Sequence, residues 1–478
     1  MIRPVKGLEP GLYECLASTF QQAYPKAKLT IYLCVESTDD PAYPVLRQVV
    51  ADFPDVDARI FVEQDDPLLH GARGHVNNLG PNPKVRNISR AYREAKGDVI
   101  WIVDCNVWVS KNAAGRMVDK LYGFQATGAQ TTPYKFVHQL PIVVDMETLK
   151  GAGESQSLLP ASSSTLPSAG PANAPRKGGQ LEEMFMATIH AKFYYAINTV
   201  GIAPATIGKS NMFRKSHLEQ FTDPSQNPIL SAWEVSRGRG IDFFSSYICE
   251  DHLIGDLIWR SKLPGYGNHG LVFGETAIQP MSNVTVSAYV ARRVRWLRVR
   301  KWTVLAATMV EPAVEAFVHC LLLSWALTTL PWFHERLGVP QTGTAMAVIW
   351  LLGVTVWMFN DWRVRLKLYS LQNLDVDQDT PSFARGTERT GGIRRRAFLE
   401  WVTAWFLREA MALPIWTWAV LLGTTVTWRG RTFRVRMDMS VVEIGGDKST
   451  SAQQQHQPST VVPLEGVISR SRSKDRLD

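Results

Sequence analysis

Four stretches of the chain carry residue types that could do chemistry. They are the acids at Asp39-Asp40, the run Val99–Val103 ending in Asp104, the pair Glu250-Asp251, and the sequence Arg292-Arg-Val-Arg-Trp296. An acid just past the carboxyl end of a buried strand stands where ligands bind in open α/β sheets. Asp104, with Asn106 close behind, is placed to meet a metal that carries phosphate. A solvated strand-end turn uses the same residues. Asp251 precedes Leu253, Ile254, Leu257 and Ile258, which repeat at helical spacing. Near a helix N-terminus a carboxylate is favoured by the dipole, so a capping role competes with a catalytic one. The arginines sit just before an apolar segment, where a juxtamembrane anchor is the plain alternative to a phosphate clamp.

These residues need a scaffold. Spacing predicts a helix over residues 11–23, stopped by Pro25, and a strand over 29–35 that runs into the acidic turn 36–41. A helix over 45–51 and a strand over 58–62 follow. A polar loop with Gly71, Gly74, Asn77 and Asn78 leads to a helix over 84–95 and then to the strand before Asp104. This alternation predicts a parallel α/β sheet with right-handed crossovers. Asp40 and Asp104 would project from the same sheet edge. Residues 151–180 are dominated by Gly, Ala, Ser and Pro without an apolar period, which predicts a flexible insertion. Helical spacing resumes over 181–190.

The chain has 478 residues and a formal charge of +8, with the basic residues clustered at 292–301 and 394–396 beside apolar segments. That placement suits a membrane surface, and no zinc-finger or RNA-binding motif supports nucleic acid. The five cysteines show no CxxC pairing or metal-ligand spacing, which predicts reduced thiols in a largely cytosolic chain. Apolar runs occupy residues 303–333, 345–359 and 398–428, the second short for a span and the third broken by Arg408-Glu409 and Pro414. The third reads as an interfacial portion over 398–409 followed by a span over 410–427. Three spans would carry Arg429, Arg431, Arg434 and Arg436 across the bilayer, against the positive-inside rule, unless the third is re-entrant. The expected organisation is a catalytic domain over 1–302, a membrane region over 303–436, and a disordered tail over 437–478. No signal peptide is read in residues 1–7.

Taken together, Asp40, Asp104, Asp251 and Arg292-x-x-Arg295-Trp296 match the D, D, D, (Q/R)xxRW signature of membrane glycosyltransferases of the GT-A fold. Among these the chain resembles the ceramide glucosyltransferases, on Cys34-Val35 with Asp39-Asp40-Pro41-Ala42, Asn82-Pro83-Lys84, and Leu181-Glu182 leading to His190, Tyr194 and Asn198. The resemblance covers residues 1–150 and 181–436. It implies inverting transfer of glucose from UDP-glucose to the primary hydroxyl of ceramide at a Golgi or ER membrane, with the catalytic domain in the cytosol. It further implies Asp251 as the base, Asp40, Lys84 and Asp104 around the donor, Asp104 on Mg²⁺ or Mn²⁺, Arg292, Arg295 and Trp296 near the diphosphate or acceptor, and His190 near the lipid. Asp104-Cys105-Asn106 is one acid short of a full DxD, which gives a cation fewer protein ligands. The family usually carries a transmembrane helix ahead of the sheet, and this sequence opens at the first strand region. Processive polysaccharide synthases are the rival, with Gln before xxRW and usually more spans; a non-catalytic membrane scaffold would be expected to lack a signature acid.

Overall fold

A computed structural model describes residues 1–70, 79–125, 127–146, 177–231, 234, 237–394, 396–428 and 430–444. The polar loop at 71–78, nearly all of the insertion and the tail beyond 444 lie outside the described residues.

The core is a seven-stranded sheet. Its strands are β1 (Ile2–Pro4), β2 (Thr30–Val35), β3 (Asp57–Val62), β4 (Val99–Val103), β5 (Tyr134–Asp145), β6 (Ser210–Arg214) and β7 (Gly267–Met281), in the spatial order β3-β2-β1-β4-β6-β5-β7. The strands predicted at 29–35, 58–62 and 99–103 are present within two residues of the expected ends. All neighbours are parallel except β6, which runs antiparallel to both β4 and β5. This is the mixed sheet of the GT-A fold. The expected Rossmann-like, mostly parallel sheet is therefore present, with β5, β6 and β7 lying beyond the alternating pattern that could be read.

Alternation within β4 explains why it is apolar throughout. Ile100 and Ile102 pack with Val85, Ile88, Phe136 and Phe213 on one face. Trp101 and Val103 pack with Met117, Leu121 and Val137 on the other. A strand covered on both faces reads as a continuous hydrophobic run and ends where the cover ends. Each such side chain is worth about 1.5–3 kcal/mol of burial, so the register that delivers Asp104 to the sheet edge is strongly held.

The carboxy-terminal part departs from the expected three spans. The first run divides into Leu305–Val310, a turn over Glu311–Val314, and Ala316–Thr329, the two apolar stretches bent by 75°. Pro312 cannot supply a backbone N–H at the break, and Glu315 there accepts from Arg408 at 2.6 Å. The second run is longer than its apolar centre, because the helix continues over Gly343–Ser370. Among the described residues it is the one unbroken helix long and apolar enough to cross a membrane. It packs along Ala316–Thr329, with Trp350 Nε1 donating to the Phe317 carbonyl at 3.0 Å.

The third run does not continue as helix to residue 427. The helix Phe398–Trp416 passes through a π turn, Thr417–Leu421, and the chain then enters strand β8 (Thr425–Trp428). Both ends return to the catalytic unit. Arg396, just before the helix, reaches Glu183 and Asp145, while Lys301 donates to the Val420 carbonyl at 2.5 Å and Arg298 to that of Thr425 at 2.8 Å. Arg408 and Glu409, which interrupt the apolar pattern, are buried, and Glu409 accepts from the amide of Ala316 at 3.0 Å at the start of its helix. Strand β8 pairs with β9 (Arg431–Val435), which pairs with β10 (Val441–Ile444). This small sheet packs Val426, Phe433 and Val441 against Ile248. The basic residues 431–436 therefore stay beside the catalytic unit, and Arg431 lies 3.6 Å from Glu36.

Candidate functional site

Local rules build the first half of the site. Asn82 caps the helix Pro83–Glu94: its Oδ1 accepts from the amides of Lys84 at 2.8 Å and Val85 at 3.1 Å, and Pro83 takes the first helical position. That fixes where Lys84 leaves the helix. Its ammonium lies 3.1 Å from Asp104 and 3.0 Å from Glu250. The amide of Asn82 donates to the same Glu250 at 3.1 Å. The Asn82-Pro83-Lys84 sequence is thus a capped helix start that aims a lysine at two acids.

Asp104 follows β4 on the expected sheet edge. The segment behind it is held by Arg3, fully buried, whose guanidinium donates to the carbonyls of Cys105 at 3.2 Å and Val107 at 3.0 Å. On the open side stands Lys209, one residue before β6. Its ammonium is 3.0 Å from Asp104 Oδ2 and 3.2 Å from Asn106 Oδ1. Desolvation opposes ionisation of Asp104, but Lys84 and Lys209 together hold its carboxyl well below the usual range. Burial alone would lower the Lys84 ammonium; Asp104, Glu250 and Asp251 instead keep it protonated.

The pair Glu250-Asp251 opens the helix Glu250–Arg260. Its two acids have different surroundings. Glu250 is buried and bound by Asn82 and Lys84. Asp251 lines a cleft of about 340 Å³ together with Glu250, Lys84, Asn211 and the apolar Ile102 and Phe136. Burial pushes the Asp251 carboxyl up, with Lys84 opposing and Asp104 adding to the shift. Backbone approaches the carboxylate closely at Gly208, where an added Cβ would stand 2.8 Å from Asp251 Oδ2. An acid poised above its ordinary pKa in a cleft is suited to accept a proton.

Asp40 stands on the same sheet edge as Asp104 but apart from it, past β2 and separated by β1, about 10 Å away at sheet spacing. It accepts from the amides of Gly7 at 2.9 Å and Ala42 at 2.9 Å, so it ties the turn after β1 to the turn after β2. Arg292, Arg295 and Trp296 share a face of the helix Val286–Arg300. Arg292 is 3.0 Å from buried Glu182, and its guanidinium lies over the Trp296 ring at 4.8 Å. His190 ends a π turn, Met186–His190, and stacks on Tyr194 at 5.3 Å and near Phe185 at 5.8 Å. Burial, reinforced by Arg293 and Arg300, pushes its imidazole down to about 3, so it is neutral. Phe185 also meets Trp296 at 6.4 Å. An aromatic path, Tyr194, His190, Phe185, Trp296, therefore joins the sheet to the RxxRW helix.

The structure brings Lys84, Asp104 and Asp251 into one charged group and leaves Asp40, His190 and the RxxRW face around it. Asn106 stands beside Asp104 as the sequence suggested, while Lys209 and Arg3 belong to the same constellation and were not marked by the sequence. A lone lysine ahead of an unrecognised antiparallel strand carries no signal; the Gly208-Lys209-Ser210 step was the available hint. For a divalent cation the fit is specific. Asp104 Oδ2 and Asn106 Oδ1 converge on one cation, the Lys209 ammonium. Among the described residues no group of three or more His, Cys, Asp or Glu forms a closed metal site. A carboxylate and an amide oxygen suit a hard cation that takes its other ligands from water and phosphate.

The model of glycosyl transferase family 21 matches residues 1–160 and 229–441. A ceramide glucosyltransferase of Pyricularia oryzae is 58% identical over 93% of this chain and 85% of its own length. That of Gibberella zeae is 51% identical over 92% and 84%, and that of Candida albicans 31% over 93% and 87%. Among solved structures, a mannosyltransferase of Pyrobaculum calidifontis in complex with GDP-mannose and Mn²⁺ is 14% identical, with a TM-score of 0.35, over 74% of this chain and 85% of that one. The chain belongs to glycosyl transferase family 21 and is a glycosyltransferase.

Proposed function

We propose that the chain transfers glucose from UDP-glucose to the primary hydroxyl of ceramide, with inversion, giving glucosylceramide. The observation that carries the reading is the division of labour within Glu250-Asp251. Both acids line the cleft, but Glu250 is bound by Lys84 and Asn82, whereas Asp251 has no side-chain partner among the described contacts. In the reaction Asp251 takes the hydroxyl proton of the acceptor as its oxygen bonds to the anomeric carbon. The bond from that carbon to the diphosphate breaks, and UDP leaves with the electron pair. Lys84 is held close enough to offset charge on the leaving group, which is where preorganised cations contribute most. A divalent cation, Mg²⁺ or Mn²⁺, would be held by Asp104 with Asn106 and would supply further charge neutralisation to the diphosphate.

Asp40 serves the nucleoside side of the donor by ordering the turns after β1 and β2. Arg292, Arg295 and Trp296, with His190 as a neutral neighbour, line the approach from the membrane. In the cell the helices Ala316–Thr329 and Gly343–Ser370 enter a Golgi or ER bilayer as a hairpin, Phe398–Trp416 lies at its interface, and the catalytic unit faces the cytosol. The relatives named ceramide glucosyltransferase favour this reading over a processive polysaccharide synthase.

The test is product formation by membranes holding the expressed chain, supplied with UDP-glucose or UDP-galactose and with or without ceramide. Glucosylceramide formed only with UDP-glucose and added ceramide supports the reading. Polymer formed without lipid would replace it with the synthase; no product under any condition would remove it.

A further inference from the structure

Lys209 occupies an unusual position. Its side chain is 9% exposed, yet it reaches the open edge of the sheet and bridges the two oxygens best suited to a divalent cation, Asp104 Oδ2 and Asn106 Oδ1. The backbone locks the arrangement, since the amide of Asp104 donates to the Lys209 carbonyl at 3.1 Å. A divalent cation at coordination distance and an ammonium at 3.0 Å compete for these oxygens, because the two positive charges repel. Asp104 needs only one ammonium for a partner, and Lys84 already supplies it at 3.1 Å. Lys84 has a second anchor in Glu250. Lys209 has none beyond Asp104 and Asn106 among the contacts described. It is therefore the cation free to leave when another arrives. Lysine suits the role: a compact charge on a flexible stem re-aims without the planar geometry that fixes an arginine.

We propose that Lys209 is an internal placeholder cation, which holds Asp104 and Asn106 in the donor-free enzyme and moves onto the donor diphosphate when the nucleotide and its divalent cation enter. The inference rests on the proposed nucleotide-sugar reaction and assigns a diphosphate-binding residue to it. The consequence is a competition. Without nucleotide, a divalent cation must displace Lys209 to reach Asp104 and Asn106. With nucleotide, the diphosphate gives the displaced ammonium a new partner. Lys209 thus weakens cation binding to the empty enzyme and strengthens nucleotide binding. A purely structural lysine would not act in opposite directions on the two ligands.

The experiment uses the purified full chain in detergent micelles, as the natural sequence and as Lys209→Met and Lys209→Arg. Mn²⁺ binding without nucleotide is read by electron paramagnetic resonance. UDP-glucose binding at saturating Mn²⁺ is read by calorimetry. For Lys209→Met the expected result is Mn²⁺ binding about 5-fold tighter or more, together with UDP-glucose binding about 10-fold weaker or more. Lys209→Arg, which keeps the charge in a group that re-aims less readily, should bind Mn²⁺ no more tightly than the natural sequence and controls for folding. Unchanged or weaker Mn²⁺ binding in the Met variant overturns the placeholder, whether through absent competition or general damage to the site. Tighter Mn²⁺ with unchanged UDP-glucose overturns the transfer to the diphosphate. If the natural sequence binds no UDP-glucose, the nucleotide-sugar reading fails first and this inference falls with it. Nucleotide binding by the natural sequence thus separates the two failures.

Discussion

Two charged clusters lie at different depths in this molecule, and they are built differently. One is the junction where the catalytic sheet meets the helices that follow it. Asp145 ends β5 and Glu183 comes from the helix Gly178–Phe185. They meet Arg365 of Gly343–Ser370 and Arg396 ahead of Phe398–Trp416, at 2.7–3.2 Å. Two buried acids face two buried arginines, and Arg396 also meets the partly exposed Glu400 at 2.7 Å, so that no arginine here lacks an acid. Burial opposes ionisation of Glu183, but Arg396 and Arg365 hold its carboxyl below the usual range. The other cluster is the site. It has three acids, Asp104, Glu250 and Asp251, and two lysines, Lys84 and Lys209. Burial pushes both Glu250 and Asp251 up, with Lys84 opposing in each case, but Lys84 and Asn82 bind Glu250, and Asp251 is left without a side-chain partner among the described contacts. Fully paired arginines fix a joint. The lysine cluster leaves one base unsatisfied and one cation movable.

The largest effect should come from the unpartnered acid. Asp251→Asn keeps the shape and can still cap the helix, but removes the base. Turnover should fall about 10²- to 10⁴-fold, with UDP-glucose affinity held within about 2-fold of the starting value by the uniform-binding argument. Near-normal turnover would reduce Asp251 to a cap and shift attention to Glu250. The arginine cluster should break in the other currency. Glu183→Ala leaves two buried arginines short of a partner and should cost about 3–5 kcal/mol of stability, seen as a lower unfolding temperature in detergent. A stable, merely slower enzyme would mean that the junction serves chemistry instead.

A smaller loss is expected at Gly208. Its missing Cβ leaves room for Asp251 Oδ2, and Gly208→Ala would place a carbon 2.8 Å from it. The carboxylate must shift, and kcat should fall about 10-fold or more, since small misplacements are costly in catalysis. Donor binding should hold. Equal losses in kcat and in folded protein would indicate general damage. The smallest effect concerns pH. A base acts when deprotonated, so activity should be lost as pH falls through the raised pKa of Asp251, at higher pH than for an ordinary aspartate. Lys84 opposes that rise, so Lys84→Met should move the acid limb of residual kcat further up. A limb that stays put would remove Lys84 as the neighbour that tunes the base.

Much of this was legible in the sequence where one local rule decides the outcome. The apolar run before Asp104 could only be a strand covered on both faces, and its end named the sheet edge. Asn82-Pro83-Lys84 could be seen as a motif, and its reason, a cap that aims a lysine, follows from helix-end geometry. Residues whose meaning depends on distant partners were not legible. Lys209 acquires its role because an antiparallel strand places it beside Asp104, and Arg3 because the segment after β4 wraps its guanidinium. The role of the charges in the third apolar run was illegible for the same reason. Arg408 and Glu409 break a bilayer span, but in the fold they meet Glu315 and cap Ala316–Thr329. The disordered tail was expected from residue 437, but Val441–Ile444 form strand β10 because they pair with β9; the rest of the tail and nearly all of the insertion lie outside the described residues.

The central claim is single displacement by a base in the cleft, and the anomeric configuration of the product tests it most directly. UDP-glucose carries an α-linked glucose. Nuclear magnetic resonance of the glycolipid formed by the purified chain from UDP-glucose and ceramide should show a β-linked glucose, the inverted product of one attack on the face opposite UDP. An α-linked product would require retention, and Asp251 as a simple base would be contradicted.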